Sequence, residues 1–205
     1  YPVSAEIVGD QLRAILSDVE VAAVKLGMLG SRAIAEQVAG ALALTAAPIV
    51  WDPIGRPTRG RPALFDGDLA EAAALLAPHV ALVTPNADEA VALGAAPIGS
   101  HAAAVAAGQA LMAAHGFAAV LVKGGHWGDA ADDVLVSPLG IATIGGPRIA
   151  TGGPVHGTGC ALATAIACNL AAGADLEAAC RKAKTYVAGR IAAAVRPGRG
   201  RAAVL

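Results

Sequence analysis

The stretch LAEAAALLAPHVALVT (69–84) decides the fold: a segment of helical period over 69–76 gives way to a short apolar run over 80–84 that ends on Thr84. The same change recurs outward on both sides. Apolar runs over 21–26, 49–52 and 119–123 read as strands. Segments over 5–16, 32–44 and 102–114 read as helices, with Ser31 and Ser100 placed as N-caps. Such alternation is the signature of βαβ units around a parallel sheet. After Lys123 the pattern shifts: 133–137 and 140–151 read as extended, Gly-punctuated segments, expected as antiparallel strands at the sheet edge. The last quarter returns to helix over 158–171, closed by Gly173, and a second helix starts from an Asp175 cap. In that helix Leu176, Ala179, Cys180, Ala183, Val187 and Ile191 share one stripe, which predicts a core face. Lys182, Lys184 and Arg190 fall off the stripe, and the lysines are expected in solvent. The closing RPGRGRAAVL (196–205) reads as a mobile terminus.

The length of 205 residues suits one domain over 1–205. Fifteen Lys and Arg against sixteen Asp and Glu leave a net charge of −1, so no summed field favours nucleic acid or an anionic membrane. The mean hydropathy of +0.58 traces to alanine, which supplies 53 residues, and no run approaches the ~18 apolar residues of a membrane span. A cytoplasmic protein is expected. Cysteines at 160, 168 and 180 contain no Cys-x-x-Cys, which argues against a disulfide framework or zinc knuckle. The start, YPVSAEIVGD, has no basic n-region or apolar h-region and no initiator Met. The expectation is a chain that begins partway through a longer gene product.

In open α/β sheets, ligands bind outside the carboxyl ends of the strands. Those ends carry Lys25, Asp52, Thr84 followed by Asn86 and Glu89, and Lys123 followed by Gly124-Gly125-His126. Acids, an amide and cations meeting in one crevice suit phosphate with a metal. The segment His156-Gly157-Thr158-Gly159-Cys160 sits between an extended run and a helix. Two readings stand open there: an anion-binding nest with Cys160 beside the reacting oxygen, its thiolate favoured by the helix dipole, or a glycine turn with a small buried cysteine.

HGTGC (156–160), followed by an alanine-rich helix, resembles the signature of hydroxymethylpyrimidine and phosphomethylpyrimidine kinases in the ribokinase-like superfamily. VKLGMLGS (24–31), VWDPIG (50–55), LVTPNADEA (82–90), VLVKGGH (120–126), DVL (133–135) and AKTYV (183–187) are similar to further family segments, in order. The resemblance implies a three-layer α/β/α sandwich and an ATP-dependent kinase of thiamine-pyrimidine synthesis. It implies that Glu89 and Asn86 help hold Mg²⁺ and phosphate, with Asp52 near the same ion. Lys123, Asn86 and Thr158 would meet the nucleotide, and Gly157, Thr158 and Gly159 would cradle the γ-phosphate. Cys160 would take the catalytic base position beside the substrate, while Met28 and Ile54 match positions lining the pyrimidine pocket. A homodimer is also implied.

Three departures qualify the match. The family's first strand and its Gly-Ser-Asp segment have no counterpart, so the sheet is expected to lack its first strand and helices. Val155 and TGGP (151–154) replace polar residues where the family contacts nucleotide. Arg56, Arg59 and Arg61 stand where the family has a Ser- and Gly-rich loop, as a phosphate-meeting lid or an exposed basic turn. Competing readings are a pyridoxal kinase, whose substrate also bears a hydroxymethyl group on an aromatic ring, and a non-catalytic pyrimidine-phosphate binding module.

Overall fold

The computed structural model describes residues 3–55, 64–125, 127 and 131–204. Its sheet has six strands in the order β1-β2-β3-β4-β5-β6. β1 (Val24–Leu26), β2 (Ile49–Trp51), β3 (Leu82–Val83) and β4 (Val120–Val122) run parallel, each pairing with the next. β5 (Asp133–Ser137) and β6 (Gly140–Ile144) complete the sheet as an antiparallel hairpin, as their Gly-rich pattern suggested.

Residue alternation along the strands builds two cores. Ile49, Trp51, Val83, Val120, Val122, Val134 and Val136 face one side, where α2 (Arg32–Leu42), α3 (Leu69–Leu76), α4 (Ala87–Ala92) and α5 (His101–His115) bury their apolar faces. α1 (Ala5–Asp18) lies outside them against α2, with Val8 and Leu12 turned inward. Val50, Leu82, Leu121 and Leu135 face the other side, against α6 (Thr158–Ala171) and α7 (Leu176–Ala192). The result is the expected α/β/α sandwich. It is a helix-covered parallel sheet, which is why its strands read as continuous apolar runs. Trp51 is one such strand residue, 1% exposed, its ring centroid 6.1 Å from that of Phe117.

Ser31, Ser100 and Asp175 cap α2, α5 and α7 as expected, each side chain accepting from the third residue of its helix. Four expectations change. The six-residue α4 was missed, although its Asn86-x-x-Glu89 spacing is a capping-box signature. The extended segment read over 140–151 holds a strand only as far as Ile144. Lys184 is half-buried rather than solvated, its side chain 16% exposed and paired with Asp133, whereas Lys182 is exposed as expected. The tail is not loose: Val195 and Ala203 exchange backbone hydrogen bonds of 3.2 and 2.9 Å.

The predicted stripe of α7 does form a core face, with Ala179, Cys180, Ala183 and Val187 buried. Burial, reinforced by the charges of Asp133 and Glu177 and opposed by Arg181, pushes the Cys180 thiol up from 9.0 to about 12. The unfolded chain then loses this proton above about pH 9 while the folded chain keeps it, so stability falls as pH rises through that window, by up to ~1.4 kcal/mol per pH unit. In urea titrations, the stability gap between wild type and Cys180→Ala is expected to narrow from pH 8 to pH 10. A gap of constant size would refute this.

Candidate active site

Four strand ends and one helix start supply the site. β2 delivers Asp52, 1% exposed, whose backbone N–H donates to the Leu26 carbonyl at 3.0 Å. β4 delivers Lys123, 9% exposed, held by a 2.8 Å bond from its N–H to the Pro85 carbonyl. Beyond β3, Asn86 caps α4: its Oδ1 accepts from the Glu89 N–H at 2.9 Å, and Glu89 Oε2 accepts from the Asn86 N–H at 2.8 Å. This reciprocal cap fixes Oε2 of the Glu89 carboxylate beside the Lys123 ammonium as well.

The three charges meet there. Lys123 Nζ donates to Asp52 Oδ1 at 2.6 Å and lies 3.3 Å from Glu89 Oε2. Burial opposes the Lys123 charge, but Glu89 and Asp52 outweigh it and hold the ammonium above its ordinary range. Burial also raises the Glu89 carboxyl, against the pull of Lys123 and the Asn86 N–H. With both acids ionised the cluster carries one surplus negative charge, an arrangement that invites a further cation. Magnesium typically takes one or two protein carboxylates and fills its remaining positions with water and substrate phosphates. Asp52 and Glu89 fit that role. Among the described residues no group of three or more His, Cys, Asp or Glu could cage a metal by protein ligands alone.

The start of α6 closes the site. Gly157 adopts φ 87°, which a side chain rarely tolerates, and it turns the chain into the helix. Every other helix here has a side-chain cap, from Ser4, Ser31, Asp68, Asn86, Ser100 or Asp175. α6 has none among the described residues, which leaves its first N–H groups open to an anion. They stand over the charged cluster: a Cβ at Gly159 would fall 3.3 Å from Lys123 Nζ and 3.8 Å from Asp52 Oδ2. From behind, the tail braces the turn. The His156 N–H donates to the Ala202 carbonyl at 2.8 Å, and the Val204 N–H donates to the His156 carbonyl at 3.1 Å.

Cys160 occupies the first turn of α6, half-buried and close enough to Asp52 to be influenced by its charge. The thiolate expected from the helix dipole is not the resting form. Burial raises the thiol above 9.0, Lys25 works against that rise, and the Asp52 charge adds to it. Thus Asp52, Glu89, Lys123, Gly159 and Cys160 are brought together, with Asn86, Gly157 and Thr158 on the elements that carry them. Met28 and Ile54 follow β1 and β2 on the same strand-end face, Met28 55% exposed and Ile54 half-buried. Arg56, Arg59, Arg61 and His126 lie outside the described residues. Sequence reading missed the pairing of Asp133 with Lys184; both stood in quoted motifs, but strand and helix patterns carry no sign of a contact between distant segments.

The mostly parallel sheet covered on both faces is the ribokinase-like fold of the solved relatives described below. The chain belongs to the phosphomethylpyrimidine kinase family, whose sequence profile matches residues 1–205. A hydroxymethylpyrimidine/phosphomethylpyrimidine kinase from Streptomyces coelicolor is 37% identical over 200 residues, spanning 98% of this chain and 74% of that protein. Among solved structures, an ADP complex of Bacillus subtilis pyridoxal kinase overlaps with a TM-score of 0.87 at 25% identity, over 99% of this chain and 76% of that one. Phosphomethylpyrimidine kinase from Clostridium difficile overlaps with a TM-score of 0.77 at 25% identity, over 92% and 77%.

Proposed function

We propose that the protein phosphorylates 4-amino-5-hydroxymethyl-2-methylpyrimidine and its monophosphate from ATP, in thiamine biosynthesis. The observation that carries the reading is the uncapped start of α6 set over the Asp52–Lys123–Glu89 cluster. Phosphoryl transfer draws most of its acceleration from positioning and charge neutralisation, and these residues supply both.

The N–H groups after Gly157 receive the γ-phosphate oxygens, and Lys123 meets the phosphates from below. The Oδ1 of Asn86 is committed to the cap, so its side-chain amide is the group left for the nucleotide. Magnesium, held through Asp52, Glu89 and water, would neutralise phosphate charge. Met28 and Ile54 line the side where the pyrimidine enters. The substrate hydroxyl attacks phosphorus as its proton passes to the Cys160 sulfur, while the thiol proton passes to the neighbouring Asp52 carboxylate. Because the thiol rests protonated, this relay replaces a free thiolate.

Glu89→Gln keeps the cap geometry but removes a charge, and it is expected to raise the magnesium concentration for half-maximal turnover about 10-fold. An unshifted magnesium titration of ADP release would remove Glu89 from the metal site. The main reading is tested by ADP release with magnesium-ATP and either hydroxymethylpyrimidine or pyridoxal. Preferred turnover of the pyrimidine is expected. The close overlap with pyridoxal kinase supports the second reading, which preferred pyridoxal turnover would establish. Nucleotide binding without turnover of either substrate would mark a binding module. The reading further takes 1–205 as one domain of a cytoplasmic homodimer, and it gives nucleic acid and membrane no part. No described helix is long and apolar enough to cross a membrane.

A further inference from the structure

Two segments quoted from the sequence, Asp133-Val134-Leu135 and Ala183-Lys184, have no role in this chemistry, yet the fold joins them. Asp133 opens β5, 1% exposed, and its Oδ1 accepts from the Gly124 N–H at 2.7 Å and pairs with Lys184 Nζ at 2.8 Å. Lys184 Nζ also donates to the Ala131 carbonyl. Its stem is enclosed by Gly146, where a Cβ would fall 2.7 Å from Lys184 Cε. The Gly146 N–H in turn donates to Asp132 Oδ1 at 3.2 Å.

Gly124 is the peptide directly after Lys123, and it packs so closely on the Asp132 carbonyl that a side chain there has no room. One buried ion pair therefore pins both ends of the segment joining β4 to β5. A buried pair is weak evidence of stabilisation, because an apolar pair of similar volume often serves as well. What an apolar pair could not do is satisfy the Gly124 N–H and the Ala131 carbonyl and fix where they sit.

We propose that Asp133 and Lys184 are positioning residues that set the Gly124 peptide, and through it the Lys123 ammonium, for the nucleotide phosphates. The inference rests on Lys123 meeting nucleotide, as the proposed function has it. Neither residue touches the substrates; both act through the backbone that follows Lys123.

The test measures binding of ADP and of hydroxymethylpyrimidine by calorimetry in wild type, Lys184→Met, Lys184→Arg and Lys182→Met. Lys184→Met is expected to weaken ADP on the order of 10-fold, below the ~10²-fold that a full 1 Å misplacement can cost. Pyrimidine binding should stay within about 2-fold, Lys184→Arg should recover part of the loss, and exposed Lys182→Met should change nothing. Lys184→Met leaves Asp133 buried and unpaired, so Lys184→Met with Asp133→Asn, which removes both charges, provides a variant with no orphaned carboxylate. It is expected to show the same selective loss. Equal weakening of both ligands, or unchanged ADP affinity, would overturn the proposal. Absence of ADP binding to wild type would instead overturn the kinase reading, and the proposal with it.

Discussion

Cys160→Ala is expected to lower kcat by roughly 10²-fold or more, as loss of a general base does, with little change in ATP affinity. The asymmetry follows from what the thiol touches. Cys160 neighbours Asp52, and Asp52 keeps its 2.6 Å contact with Lys123 when the sulfur is gone, so the nucleotide side of the cluster stays in place. The backbone donors of α6 are also untouched, which leaves a residual rate from positioning alone. Steady-state kinetics decide the matter: turnover at the wild-type rate would take the proton relay away from Cys160.

Lys123→Met should be damaging in a different currency. Removing the ammonium leaves Asp52 and Glu89 buried side by side without a counter-charge, and breaking such a pair typically costs ~3–5 kcal/mol. Activity is expected to vanish with it. The pH dependence identifies the cause. Lys123 holds the Glu89 carboxyl down against its burial, so in the variant that carboxyl rises further above its unfolded value of 4.5. A carboxyl raised in the folded state gives stability that is present at low pH and lost as pH rises through the folded value. The stability deficit of Lys123→Met should therefore shrink between pH 7 and pH 5, and Lys123→Met with Glu89→Gln should recover part of it. A deficit independent of pH would mean that packing, not charge, is what Lys123 supplies.

The parallel sheet was legible because β2, β3 and β4 are buried on both faces and the helices on one, so Val120–Val122 and Leu69–Leu76 announce themselves by period alone. The candidate site was legible in part: Asp52 and Lys123 at their strand ends do meet, whereas Thr84 at the end of its strand is buried and turns its hydroxyl to the Trp51 carbonyl. The protonation of the site was not. The state of Cys160 depends on Asp52, more than a hundred positions away in the chain, and on the depth at which both sit. Lys184 shows the same limit. Its place off the apolar stripe of α7 predicts solvent, but β5 and the Gly146 segment cover that flank and turn it into an interior. The tail was misread because its Gly and Arg content suits a loose end, whereas its order comes from backbone bonds to His156 that composition cannot reveal.

Those bonds have a bearing on how the protein is made. A chain leaves the ribosome N-terminus first, and its domains fold as their sequence emerges. The sheet through β6 is available early, but the turn at Gly157 gains its brace only when Ala202 and Val204 have cleared the exit tunnel. The nascent protein therefore passes through a stage at which its sheet has formed while the turn at Gly157 is still unsupported, and the order of that turn waits on a segment more than forty residues further along the chain.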